Sequence, residues 1–325
     1  MPPHHPSPNH DRHLPKLTAI ALGIAALLWA IALDSPARAS EGLAPDIWNP
    51  SIFQAVVLGM VQGLTEFVPI SSTAHLKMVP ELLGWGDPGA AFSAAIQLGS
   101  IAAVLGYFWN DLRQVVGGAT RAIGQRNWQS RDFRIALGIA IGTVPIVAIG
   151  LTTRLFFNDF YELTVRTSTT IASVSILMGL LLGFAEELCR HARDFENLGV
   201  TDGILIGLAQ AMAIVPGVSR SGSTMTAGLF LGLDRATAAR FSFLLGIPAI
   251  SLAGMFELKD LVGGIEAAAL WALVAGLISA LVFSYLAIAW LIRFLQTQST
   301  WVFVWYRFAF GVFVFFAIAS GWIGG

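Results

Sequence analysis

A chain of 325 residues that is 55% hydrophobic and only 12% charged, with a mean hydropathy of +0.70, is not composed for water. Soluble domains carry about 25% charged residues, so most of this surface must face lipid. A net charge of −1 and a pI near 6.6 give no basic face for nucleic acid, and the single cysteine, Cys189, excludes an internal disulfide or a cysteine-rich metal site.

The chain opens with a polar tail holding His4, His5, His10 and His13, then Arg12 and Lys16, an apolar run Leu17–Leu33, and Ser35-Pro36-Ala37-Arg38-Ala39-Ser40. Basic tail, apolar run and small-residue Ala-x-Ala pattern are the layout of a secretory signal. Residues 1–45 are therefore read as a tail and signal-like segment, with a retained transmembrane helix as the alternative. Residues 46–325 form the membrane domain.

Residues 52–84 come next, apolar at both ends but interrupted by Pro69-Ile70-Ser71-Ser72-Thr73. Three apolar spans follow, at roughly 90–109, 133–152 and 168–185. A second interrupted stretch, 202–232, is broken by Pro216-Gly217-Val218-Ser219-Arg220-Ser221-Gly222-Ser223-Thr224, and three more spans lie near 237–256, 267–292 and 302–323. Each span approaches the ~20 residues that a ~30 Å hydrocarbon core requires. The halves of the two interrupted stretches are too short to cross. They are expected to enter the membrane and turn back, because broken backbone at that depth is tolerated only when buried in protein.

The interrupted stretches resemble each other. Gly59-Met60-Val61-Gln62 precedes Val68-Pro69-Ile70-Ser71, and Gly207-Leu208-Ala209-Gln210 precedes Val215-Pro216-Gly217-Val218-Ser219. The fold expected is all-α, with six transmembrane helices and two re-entrant helix–break–helix segments in repeats of about 50–185 and 202–323. Three spans per repeat is an odd number, so the second repeat is inverted, and paired breaks in such a fold point to a site between the halves. Arg113, Arg121, Arg126, Arg131, Arg190, Arg193, Arg235 and Arg293 collect on one side, against Lys77, Arg154, Arg166 and Lys259 on the other. The Arg-rich side is then cytoplasmic.

Chemistry concentrates at the breaks. Gln62 and Glu66, four residues apart, share one face of a half-helix. A carboxylate inside an apolar helix costs roughly 2.5–3.5 kcal/mol on insertion scales, so Glu66 is a functional candidate by default. Beyond Pro69, Ser71 or Ser72 can cap the next half-helix, which would put a serine hydroxyl and His75 on one face as nucleophile and base. The competing reading has the serines as caps and His75 as a satisfied buried polar group. In the second break, Arg220 offers a planar fork for phosphate oxygens, surrounded by the hydroxyls of Ser219, Ser221, Ser223 and Thr224, and the helix that starts there turns free N–H groups toward the break. Set face to face, the breaks suit a phosphorylated ligand with an apolar tail.

The runs Gly59-Met60-Val61-Gln62-Gly63-Leu64-Thr65-Glu66-Phe67-Val68-Pro69-Ile70-Ser71-Ser72-Thr73-Ala74-His75 and Pro216-Gly217-Val218-Ser219-Arg220-Ser221-Gly222-Ser223-Thr224 resemble the signatures of the bacitracin-resistance family of undecaprenyl-pyrophosphate phosphatases. The resemblance covers roughly residues 50–323 and leaves out the N-terminal extension. It implies a multi-pass enzyme of the bacterial plasma membrane that removes the terminal phosphate of a polyisoprenyl pyrophosphate and so regenerates the carrier lipid for peptidoglycan synthesis. It implies catalytic roles for Glu66, Ser72, His75 and Arg220, and substrate contacts from Gln62, Ser71, Thr73, Ser219, Ser221 and Thr224. A divalent cation, Mg²⁺ or Ca²⁺, is implied as well, with Glu66 as its ligand. Position 62 is Gln where many members have Glu, which removes one anionic ligand. The implied partners are the lipid substrate and membrane lipid, with a homodimer compatible with both.

A transporter of a lipid phosphate is the alternative, since inverted repeats with central breaks are also transporter architecture. Acid-phosphatase-like lipid phosphatases need a second histidine soon after the Ser-Arg pair, and none follows Arg220. A noncatalytic lipid-binding scaffold would have no use for Glu66 and Arg220 in the hydrocarbon. Whether a phosphoserine forms or water attacks directly stays open.

Overall fold

The computed structural model describes residues 50–262 and 267–324, so the expected signal-like segment lies outside the described residues. The first interrupted stretch folds as α1 (Ile52–Glu66) and α2 (Ser72–Leu82). Next come α3 (Gly89–Tyr107), α4 (Trp109–Gly124), α5 (Arg131–Phe156) and α6 (Ser168–Leu188). The second interrupted stretch is α7 (Val200–Ala211) and α8 (Arg220–Phe230), followed by α9 (Arg235–Val262), α10 (Ala267–Leu295) and α11 (Trp301–Ala319). The chain is an all-α, multi-pass membrane protein. Helices α5, α6, α9, α10 and α11 are each long and apolar enough to cross, and α3 with α4 makes a sixth candidate bent by 71°.

That bend departs from expectation. Residues 110–132 read as an Arg-rich loop, yet 109–124 are helical because Val115, Ala119 and Ala122 build a buried stripe that packs on α5. Arg113 and Arg121 sit on the exposed face, hiding the apolar period from a reading based on charge.

The packing of the two halves is reciprocal: α1 lies along α10, α7 lies along α5, and α6 packs against α11. Small residues make each approach close. A Cβ at Gly59 or Gly63 would strike α10 near Gly276, Ser279, Ala280 and Phe283, and one at Gly203 or Gly207 would strike the α5 backbone at Gly138 or Gly142. Ser279 adds a hydrogen bond to the Val56 carbonyl at 2.7 Å. Without a hydrophobic drive between helices in lipid, such backbone approach and polar contact are what hold them together.

Both breaks have the same local form. The two helix caps, Ser71 and Ser219, hold left-handed φ values of 76° and 70°. Each side chain accepts from the amide three residues on, Ala74 (3.4 Å) and Gly222 (3.1 Å), which offsets the strain of that conformation. The breaks meet inside the bundle beside a buried aromatic set in which Phe67 packs edge-on to Phe243 at 5.2 Å.

Candidate functional site

Glu66 ends α1 and its carboxylate is the hub of the site. Oε2 accepts from Gln62 Nε2 (3.1 Å) and Ser72 Oγ (2.7 Å), and Oε1 accepts from Gln97 Nε2 (3.3 Å) and Arg220 Nη2 (3.4 Å). Four donors fill the lone-pair sites of one carboxylate, which is how a buried ionised group is made tolerable. Behind Gln62 the polar chain continues to Ser100 Oγ at 3.4 Å and from there to Ser284 of α10 at 2.8 Å.

Arg220 reaches this hub from the opposite repeat. Nη1 donates to the Ser242 carbonyl at 3.2 Å, and the guanidinium lies over the Phe67 ring at 5.9 Å. Gly246 makes this possible, because a Cβ there would overlap the guanidinium. The Arg220 Nε is buried without a hydrogen-bond partner among the described residues, which leaves one N–H of the fork unpaired. The first-turn amides of α2 and α8, at Ser72, Thr73, Arg220 and Ser221, have no intrahelical acceptor and their dipoles favour an anion at the break.

The structure brings Gln62, Glu66, Ser72 and Arg220 together, and separates His75 from them. Ser72 pairs with Glu66 rather than with the imidazole. The His75 Nδ1 instead lies 2.7 Å from the Ser71 carbonyl, and Nε2 lies 2.6 Å from Tyr306 Oη of α11. The expected serine–histidine pair is thereby corrected to serine–glutamate. One turn of helix does put the two side chains on one face, but the Ser71 carbonyl, which also accepts the His75 amide, and a phenol on another helix draw the ring away.

The remaining hydroxyls serve the architecture. Ser71 and Ser219 are caps, and each also meets the hydroxyl two residues on, Thr73 at 3.1 Å and Ser221 at 3.2 Å. Ser221 is fully buried and donates toward the Glu66 and Val68 carbonyls (3.2 and 3.1 Å), tying the second break to the first. Thr224 is equally buried and ties α8 to Ser242 of α9 at 2.6 Å. Ser221 and Thr224 are therefore committed to protein partners in this arrangement rather than turned toward a substrate. Thr73 is exposed at the mouth of the first break.

Sequence reasoning missed several groups. Gln97 and Ser100 are polar residues three apart in an apolar span, a detectable signal. Arg307 was the stronger one, an arginine within the α11 span, where an ionisable group marks function by default. Its buried guanidinium donates to the carbonyls of Pro69 (3.0 Å) and Gly217 (2.5 Å), equivalent positions in the two breaks, and to Ser175 of α6 (3.2 Å).

For a divalent cation, the donors at hand are oxygen atoms of Glu66, Gln62, Gln97 and Ser72. No cluster of three His, Cys, Asp or Glu side chains exists among the described residues. That is too few anions for a dedicated cage, but it fits an ion held jointly by one carboxylate and the phosphate oxygens of a ligand, as Mg²⁺ commonly is. A turn of either carboxamide would exchange its N–H donor for an oxygen ligand.

The family model described as "Bacitracin resistance protein BacA" matches residues 55–313. The chain is 56% identical to the undecaprenyl-diphosphatase of Nostoc sp. over 306 residues, covering 94% of this chain and 95% of that protein. It is 52% identical to the undecaprenyl-diphosphatase of Synechocystis sp. (95% of this chain, 98% of that protein) and 57% identical to that of Synechococcus elongatus (85% and 94%). A match of 306 residues takes in part of the N-terminal extension, which therefore does not lie wholly outside the likeness to such relatives.

Proposed function

Because the chain belongs to the bacitracin-resistance protein BacA family, we propose that it is an undecaprenyl-diphosphatase, removing the terminal phosphate of undecaprenyl pyrophosphate to leave the monophosphate carrier. The observation that carries this reading is the Ser72 hydroxyl, held 2.7 Å from Glu66 at the first turn of α2, with Arg220 of the other repeat on the same carboxylate. A transporter needs complementary charge but has no use for a hydroxyl aligned on a carboxylate.

In this reading the terminal phosphate docks at the break, drawn by Arg220 and the free amides of α2 and α8. Ser72 Oγ attacks phosphorus, the bond to the bridging oxygen breaks, undecaprenyl phosphate leaves, and the serine proton passes to Glu66. Water then cleaves the phosphoserine, and Ser72 regains its proton from Glu66. As negative charge builds on the phosphoryl oxygens, Arg220 and the helix N-termini stabilise it without reorganising. A cation held by Glu66, with the amide oxygens of Gln62 and Gln97, would neutralise pyrophosphate charge when bound. The isoprenyl tail would lie along the apolar helix surfaces.

The enzyme would reside in the bacterial inner membrane with its Arg-rich loops in the cytoplasm, and its activity would confer bacitracin resistance by regenerating the carrier. Phosphate release from undecaprenyl pyrophosphate by the purified chain in detergent tests the assignment. Wild type should turn over, and Arg220→Ala should lose about 10² to 10³ in kcat, as removal of a preorganised charge-stabilising donor does. Equal rates in the two proteins would remove Arg220 from the chemistry, and no release by wild type would remove the assignment.

A further inference from the structure

Helix α3 is 19 residues long and at 1.5 Å per residue reaches about 28 Å, enough to cross the hydrocarbon by itself. Helix α4 leaves it at 71°, so α4 runs close to the plane of the membrane rather than through it. A Cβ at Gly118, midway along α4, would overlap the Asp132 side chain, which sets the middle of α4 beside the first turn of α5. That turn, Arg131-Asp132-Phe133-Arg134, is charged and lies at the edge of the hydrocarbon. Helix α4 therefore sits at the level of the headgroups. Three sectors run along it. Val115, Ala119 and Ala122 pack inward on α5. Beside them Trp109, Val116 and Ile123 are spaced seven residues apart, two turns of helix, and each is more than half exposed. The third sector holds Asn110, Arg113, Gln114 and Arg121, all exposed, and Arg126 follows the helix. An apolar line between a packed face and an arginine face is the pattern of a helix that rests in the interface. Trp128, exposed and edge-on to Phe133 at 5.2 Å, adds a second indole at the level where indoles collect.

The arginines select the lipid. On the same side of the protein Arg131, Arg193, Arg235 and Arg240 are paired with Glu196, Asp202, Glu186 and Asp111. Arg113, Arg121 and Arg126 have no ion-pair partner among the described residues. Three unpaired guanidinium groups beside an apolar line complement a surface of phosphate headgroups over acyl chains. We propose that α4 is an interfacial helix that seats Trp109, Val116 and Ile123 in the leaflet on the Arg-rich side and binds anionic phospholipid there through Arg113, Arg121 and Arg126.

The test uses the full chain with Cys189→Ser, reconstituted in vesicles of equal parts phosphatidylcholine and phosphatidylglycerol. One protein carries nitrobenzoxadiazole on Val116→Cys, in the apolar line, and another carries it on Gln114→Cys, in the polar sector. The label at 116 should emit at shorter wavelength and be quenched by nitroxide-bearing lipid, while the label at 114 should be quenched by iodide supplied on both sides. Comparing nitroxide phosphatidylglycerol with the matching phosphatidylcholine should give a local enrichment of the anionic lipid of about fivefold or more at 116, the effect of a single arginine at an anionic surface. High salt, or the combined Arg113→Gln, Arg121→Gln and Arg126→Gln variant, should bring that ratio toward one. The salt arm needs no substitution and reads the same charge contact if the triple variant misfolds. Iodide quenching at 116 as strong as at 114 would overturn the interfacial seat. Lipid quenching with no preference for phosphatidylglycerol would overturn the binding of anionic lipid. A label at 116 shielded from both quenchers would mean that protein covers this face, and the proposal would fail.

Discussion

Replacing Arg307 with methionine removes a side chain of α11 that holds both breaks at once. Its fork bridges the Pro69 carbonyl at 3.0 Å and the Gly217 carbonyl at 2.5 Å, while Nε binds the Ser175 carbonyl at 3.2 Å. Methionine keeps the Cβ beside Gly179 and much of the aliphatic stem but not the Nη1 beside Gly222, so the main loss is of hydrogen bonds. Ser175 lies within α6, where helix geometry supplies its carbonyl with a second donor, but the two break carbonyls lie outside any helix. Each would be left buried and unpaired at about 1–3 kcal/mol, giving a destabilisation of roughly 2–6 kcal/mol. Removing a buried charge recovers part of its desolvation cost, which favours the lower half of that range. Arg307→Lys keeps the charge but presents a single point donor, so it should satisfy one carbonyl and fall between wild type and Arg307→Met. Unfolding free energy measured in detergent, with amide exchange at residues 67–71 and 215–219, reads the effect. Both breaks should open together. Exchange rising at only one break, or stability within about 1 kcal/mol of wild type, would refute a shared clamp.

Ser72→Ala should reduce single-turnover phosphate release at saturating lipid by roughly 10³ or more, the scale of losing a nucleophile, with lipid binding retained; substantial release would assign the attack to water. Arg220→Lys keeps charge without the bidentate fork and should still lose about 10² in kcat, whereas near-wild-type turnover would make Arg220 a diffuse charge only. Gly207→Leu drives a side chain into the α5 backbone at Gly142 and should lower unfolding free energy by about 1–3 kcal/mol or more; tolerance of leucine there would contradict the close approach of α7 to α5. In a Cys189→Ser background, cysteines at Gln125 and Asn197 should resist a membrane-impermeant thiol reagent applied from outside and one at Asn158 should react, and the reverse pattern would invert the orientation.

What could be read in the sequence was local. Pro69 and Pro216-Gly217 announce broken helices because each is followed by a cluster of serines that can cap a new helix. Pro145 and Pro248, with no such cluster after them, stay inside continuous helices. Glu66 and Arg220 announce themselves because an ionisable group in hydrocarbon is expensive and persists only with a partner. The pairing of the breaks followed from their likeness to each other, and the structure places Arg220 and Glu66 on each other across 154 positions of chain. What the sequence could not decide was the direction of each side chain. His75 has one helical face in common with Ser72, but its ring is turned by the Ser71 carbonyl one turn back and by Tyr306, 231 residues away. The same holds for α4, whose buried stripe has meaning only against α5, and for Gln97, which reads as an isolated polar residue until α3 packs beside Glu66. Helix breaks and buried charges are written in the energetics of single residues. Which hydroxyl meets which carboxylate is set by the approach of distant helices, and only the tertiary structure supplies it.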